Sequence, residues 1–234
     1  MDSTVIDVDP TSQNLIACGI FTLVHRLNEN CVRKVPRDND ADNIQAVQNE
    51  ANIYAMLGDD DHFAICLSAN QSVEHVDLKW AANGTLEDYI QKEGSRLTTT
   101  RRYEMGCIII EAVQKLHHLG VIHSDLALRQ YLLSEDYRLI LQLRDIQGIL
   151  RWEWKIVQSD LFALGSTLYE LMVGQTPYQG KSEDEIQLLY EQGKFPGTNY
   201  ILCGDVILGC WTKQFNSADQ VLDSYRRSPT QILN

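Results

Sequence analysis

From Asn14 to Pro36 apolar and β-branched residues dominate, with a short polar break at Asn28-Glu29-Asn30. The pattern predicts strands over LIACGIFTLVHRL and CVRKV, joined like a hairpin at that break. Residues 43–57 change period. At 100° per residue Ala46, Val47, Ile53, Tyr54 and Leu57 share one stripe, which predicts a helix stopped by Gly58. Further strands are expected in HFAICLSAN and VEHVDLKW, within residues 63–80, and the small, turn-rich residues 81–84 follow as a boundary. Beyond it the helical period takes over. A short helix is expected over Thr85–Lys92, a long one over Thr99–Leu119 closed by Gly120, and a helix apolar on most sides over Asp160–Val173 closed by Gly174. Between the last two, Tyr131–Leu133 and Arg138–Leu143 can pair as a hairpin across 134–137. A sheet-rich first third before a helical remainder is an α+β pattern in two lobes, and a ligand would be expected in the cleft between them.

One polar residue interrupts the stripe of the first helix. Glu50 sits in its middle, and a carboxylate on a buried face is costly unless a cation compensates it. The nearest candidate is Lys34, at the end of a strand; the alternative is two solvated charges. A second polar island is HSDLALRQYLL, residues 123–133, where His123, Asp125, Arg129 and Gln130 fall between apolar runs. Asp125 there is either a reactive carboxylate or a turn former bonded to local amides.

Composition narrows the class. With 234 residues, 44% of them hydrophobic, the chain can bury a sizeable core. Its formal charge of −12 repels phosphate backbones and argues against a nucleic-acid partner, though not against one Mg-shielded nucleotide. The six cysteines include no C-x-x-C pair, so reduced thiols are expected rather than zinc or disulfides. The acidic start MDSTVIDVDP lacks an apolar signal core, and no run approaches the ~20 residues that span a bilayer. A soluble, cytoplasmic or other intracellular protein without membrane partner is therefore expected, and the sequon at Asn83-Gly84-Thr85 is read as chance.

These islands resemble the motifs of the protein kinase-like superfamily. His123-Ser124-Asp125-Leu126 followed by Gln130 is similar to the catalytic loop H-x-D-L-x-x-x-N, Val32-Arg33-Lys34 to the lysine strand, and Asp145-Ile146-Gln147-Gly148 to the D-F-G segment. SDLFALGSTLYELMVG, residues 159–174, resembles the central helix, and GCWTKQFNSADQVLDSY the last helices. The likeness covers about residues 14–225 and is greatest to degenerate fungal kinase-like proteins with a shortened activation segment. It implies a bilobal protein kinase-like fold: a flexible N-terminus over 1–13, a β-rich N-lobe over 14–80, a mainly α-helical C-lobe over 81–225 and a tail over 226–234. It implies ATP and Mg²⁺ as cofactors and a protein substrate or binding partner. Gly19 and Lys34 would hold the phosphates, Glu50 would hold Lys34, and Asp125 would take the substrate hydroxyl proton. Asp145 and Gln130 would ligate the metal. His123 would brace the loop and Asp160, at a helix start, would hold it. Arg129 is either a surface cation or a substrate-side group. Cys210-Trp211 is expected to pack in the core.

The sequence also departs from that pattern. ACGIFTLVH keeps one clear glycine, Gly19, and puts the side chains of Phe21 and Thr22 where backbone would approach phosphate. Gln130 replaces Asn and reaches one methylene further; about 1 Å of misplacement in a reacting constellation costs roughly 10²-fold. Asp145 lies two positions late, a shift that preserves strand alternation, whereas a strict count would give Leu143 the metal position. Only 15 steps separate Asp145 from Asp160, without A-P-E. The expected activity is phosphoryl transfer from ATP to a Ser, Thr or Tyr hydroxyl. The alternatives are a pseudokinase scaffold without turnover and, last, a small-molecule phosphotransferase.

Overall fold

The computed structural model describes residues 14–69, 75–143 and 154–228. Five antiparallel strands and one helix come first, then six helices and a two-stranded hairpin among the described residues. This is an α+β, kinase-like fold. The described residues through Trp80 form one compact unit and those from Ala81 onward a second.

The first unit is a sheet of β1 (Leu15–Cys18), β2 (Thr22–Arg26), β3 (Cys31–Pro36), β4 (Cys66–Ala69) and β5 (Val76–Lys79), in the order β1-β2-β3-β5-β4. The single strand expected across 15–27 is two. The Gly19 N–H donates to the Thr22 carbonyl at 2.7 Å, and this tight turn folds the apolar run back on itself. Helix α1 (Ala41–Leu57) starts two residues before the expected position, because Asp40 caps it by accepting from the Asp42 N–H at 2.9 Å. It ends at Gly58, whose φ of 59° lets the chain leave the helix without a Cβ clash. Strand alternation sorts the basic pair on β3. Arg33 lies on one face and forks onto Asp77, its direct cross-strand partner on β5, at 2.8 and 2.9 Å. Lys34 takes the opposite, buried face.

The second unit contains α2 (Leu86–Glu93), α3 (Thr99–His118), the hairpin β6 (Tyr131–Leu133) and β7 (Leu139–Leu141), α4 (Trp154–Val173), α5 (Glu183–Glu191), α6 (Gly204–Trp211) and α7 (Ala218–Arg227). Thr85, Thr98, Ser182 and Ser217 cap α2, α3, α5 and α7 through their side chains, each worth about 1 kcal/mol. Helix α4 begins about two turns before the expected Asp160. Val157, fully buried four residues ahead of Leu161, extends the apolar face backwards. Helix α7 runs to Arg227, two residues past the expected end of the helical region. Gly165 lets α4 and α6 approach closely, since a Cβ there would meet the Cys210 Cβ at 2.7 Å. Cys210 and Trp211 are buried in this contact, and all six cysteines are free thiols.

Candidate active site

Lys34 and Glu50 are brought together. Glu50 stands on the buried face of α1, and the Lys34 Nζ donates to its two carboxylate oxygens at 2.6 and 2.5 Å. The side chains are 3% and 2% exposed. A buried charge of either sign costs several kcal/mol without the other, so the geometry selects the paired alternative over two solvated charges. Gly19, in the same unit, lies in the β1–β2 turn, and its carbonyl accepts from Arg37 at 3.5 Å.

The second unit carries HSDLALRQYLL. Leu126, Leu128 and Tyr131 are buried and anchor the loop, while Ser124 and Asp125 remain exposed. Ser124 has φ 65°, a left-handed conformation that costs an L residue roughly 1–2 kcal/mol. Two hydrogen bonds offset it. The N–H groups of His123 and Ser124 each donate to the Asp160 carboxylate at 2.8 Å, and His117 Nε2 meets the same group at 3.0 Å. Asp160 is therefore not a helix-start residue. It lies in the second turn of α4, 1% exposed, and fastens the loop to that helix.

His123 is a brace. Its Nδ1 accepts from the Asp125 N–H at 3.3 Å, so the proton sits on Nε2, which donates to the Gln142 carbonyl at 3.2 Å. The Asp125 carboxylate is held at both oxygens: Arg129 donates to Oδ1 and the Gln130 amide nitrogen to Oδ2. Gln130 is 1% exposed, and its oxygen accepts from Gln142 Nε2 at 3.4 Å.

Asp145 lies outside the described residues. Leu143, its alternative, is fully buried and apolar and supplies no metal oxygen. Among the described residues no cluster of three His, Cys, Asp or Glu side chains is placed to hold a metal ion.

Two groups escape a reading of the text. Gln142 bonds the backbone of Gln130, at 2.9 Å, as well as its side chain. The signal is the hairpin register: Tyr131 opposes Leu141, so Gln130 and Gln142 extend the same ladder. Glu170 is the other, a buried acid on the apolar α4. Burial, with Glu87 adding to it, pushes its carboxyl up to about 7, while Arg129 pulls it down. The signal was one carboxylate amid apolar neighbours, as at Glu50.

Comparison with known proteins settles the family. The protein tyrosine and serine/threonine kinase family matches residues 19–146, more than half of the chain. The chain belongs to this kinase family. It is similar to the serine/threonine-protein kinase PDK1 of Cryptococcus neoformans, 29% identical over 134 residues, covering 45% of this chain and 11% of that one. Mitogen-activated protein kinase kinase kinase 17 of Arabidopsis thaliana is 23% identical over 185 residues, 67% of this chain and 48% of its own length. The tyrosine protein-kinase src-1 of Caenorhabditis elegans is 24% identical over 184 residues, 64% of this chain and 34% of its own length. The kinase chain thus spans about half the length, or less, of these relatives. No helix among its described residues is long and apolar enough to cross a membrane.

Proposed function

We propose that this kinase-family chain binds ATP with Mg²⁺ and transfers the γ-phosphoryl group to a hydroxyl of a protein substrate. The observation that carries the reading is the dry Lys34–Glu50 pair. A lysine buried in a strand and held by a helix carboxylate is an oriented cation, ready to receive phosphate oxygens. The pair spends two desolvated charges on a position where apolar residues of equal volume would be no less stable. In the second unit Asp125 is the exposed carboxylate that accepts or orients the hydroxyl proton, and the Asp160 bonds fix the backbone of the two residues before it, His123 and Ser124. The metal neutralises charge on the transferring phosphoryl group. Asp145 is the proposed ligand on the protein side. Gly19 lends backbone to the phosphates, at an affinity lowered by Phe21 beside it.

A second reading is a scaffold that binds nucleotide or a partner without turnover. It is favoured by the Asp125 carboxylate, both of whose oxygens are already engaged by Arg129 and Gln130.

Two measurements separate them. Millimolar Mg-ATP should raise Tm in a thermal-shift assay, in the native chain and in Asp125→Asn alike. Radiolabelled phosphate should pass from [γ-³²P]ATP to a protein acceptor in the native chain and fail in Asp125→Asn. Binding without transfer supports the scaffold; no thermal response at millimolar Mg-ATP overturns phosphoryl transfer and the nucleotide-binding form of the scaffold.

A further inference from the structure

The buried amide of Gln130 has a fixed orientation. An ionised carboxylate only accepts hydrogen bonds, so the group that Gln130 turns to Asp125 Oδ2 must be its NH₂. That leaves the Gln130 oxygen on the far side, where Gln142 Nε2 donates to it at 3.4 Å. Gln142 is itself immobilised. Its N–H donates to the Gln130 carbonyl at 2.9 Å, its carbonyl accepts from His123 Nε2 at 3.2 Å, and its Nε2 also donates to the Arg129 carbonyl at 3.3 Å. Turning the Gln130 amide over would set oxygen against carboxylate and NH₂ against NH₂. Both new contacts would be repulsive, at a side chain that is itself 1% exposed.

We infer that Gln130 is a positioning residue for Asp125 and not a metal ligand, with Gln142 as the latch that keeps its oxygen turned away from Asp125. The inference rests on the reading of Asp125 as the reacting carboxylate, and it replaces the expectation that Gln130 serves the metal. The oxygen that would bind a cation is turned to Gln142, and the amide nitrogen, which faces Asp125, cannot bind one. Arg129 secures the other carboxylate oxygen, so Asp125 is held from two sides by groups four and five residues along its own chain.

The test uses the full chain, labelled with ¹⁵N, without nucleotide. The Gln130 side-chain NH₂ should exchange with solvent at least about tenfold more slowly than that of an exposed glutamine. Asp125→Ala, at an exposed position, should abolish this protection while the backbone spectrum keeps its native dispersion. Protection that survives Asp125→Ala overturns the clamp. A second arm counts Mn²⁺ bound with a non-hydrolysable ATP analogue by electron paramagnetic resonance. Gln130→Met, which fills the same space without donor or oxygen ligand, should leave the number and affinity of bound Mn²⁺ unchanged within about twofold. A lost Mn²⁺, or an affinity reduced about tenfold or more, makes Gln130 a ligand and overturns the inference. Should the native chain bind no analogue, the phosphoryl-transfer reading falls, and the exchange measurement alone still decides the clamp.

Discussion

The two units each hold an ion pair among the candidate site residues, and the pairs are physically unlike. Lys34–Glu50 is 3% and 2% exposed, with both carboxylate oxygens engaged by one ammonium. Asp125–Arg129 is 48% and 48% exposed. The first is desolvated, and each charge depends on the other for its presence in the interior. The second is wet, screened by solvent and salt, and cheap to separate. An exposed carboxylate can exchange its partner for a substrate; a buried ammonium that loses its partner leaves an uncompensated charge in the interior. The difference between holding a group permanently and holding it until something else arrives is thus set by burial. The ion-pair chemistry is nearly the same.

Breaking the buried pair from one side tests this most strongly. Glu50→Ala removes the carboxylate that compensates Lys34 and should destabilise the chain by about 3–5 kcal/mol, read from urea unfolding. The double variant Lys34→Met with Glu50→Leu should recover most of the loss and give no thermal response to Mg-ATP. If the single variant costs less than about 1 kcal/mol, the pair is solvated and the contrast between the units disappears.

Asp160 provides the next effect, because it is as buried as Glu50 yet neutralises no lysine. It accepts from two backbone amides and His117. Asp160→Ala should cost about 2–3 kcal/mol. It should also speed hydrogen exchange at the His123 and Ser124 amides before any other part of the second unit. Uniform acceleration would show that the loop is held by Leu126 and Leu128 instead.

Glu170 is a third case, a buried acid whose partner is poor. Its carboxyl titrates near 7, above the ordinary 4.5, because of burial first and Glu87 second. Between those values the folded chain binds a proton that the unfolded chain has released. The Glu170 contribution to stability therefore falls as pH rises from about 4.5 to about 7 and levels off above it. Glu170→Gln should flatten this limb, by an amount on the order of 1 kcal/mol given its partial solvation. An unchanged pH profile would place the titration elsewhere.

What the sequence could and could not reveal follows the same division. Strands and helices were legible where one face is buried, since burial imposes a period, and Glu50 was legible because it breaks one. The helical start at Trp154 was not, because one buried Val157 is too little signal to extend a stripe. The split of residues 15–27 into β1 and β2 was missed because a turn closed by Gly19 leaves the apolar run unbroken. At the site, Lys34, Glu50 and Asp125 could be named from motif spacing. The orientation of Gln130 could not, since it depends on Gln142, twelve positions away and adjacent only through the register of a three-residue hairpin. Which residues matter is written locally; which way an amide faces is decided by neighbours that folding brings.

The smallest effect belongs to the exposed pair, and it has a signature beyond its size. Arg129→Ala should change stability by less than about 1 kcal/mol, because both partners are half solvated. Its consequence should appear at Glu170, which Arg129 holds down against burial. With the arginine gone, the midpoint of the Glu170-dependent limb should move to higher pH, and Glu170→Gln should erase the shift. A double-mutant cycle followed across pH 5–9 isolates that coupling. Should Arg129→Ala instead destabilise the chain as much as Glu50→Ala, the wet pair is structural, and Asp125 is no more available to a substrate than Glu50 is.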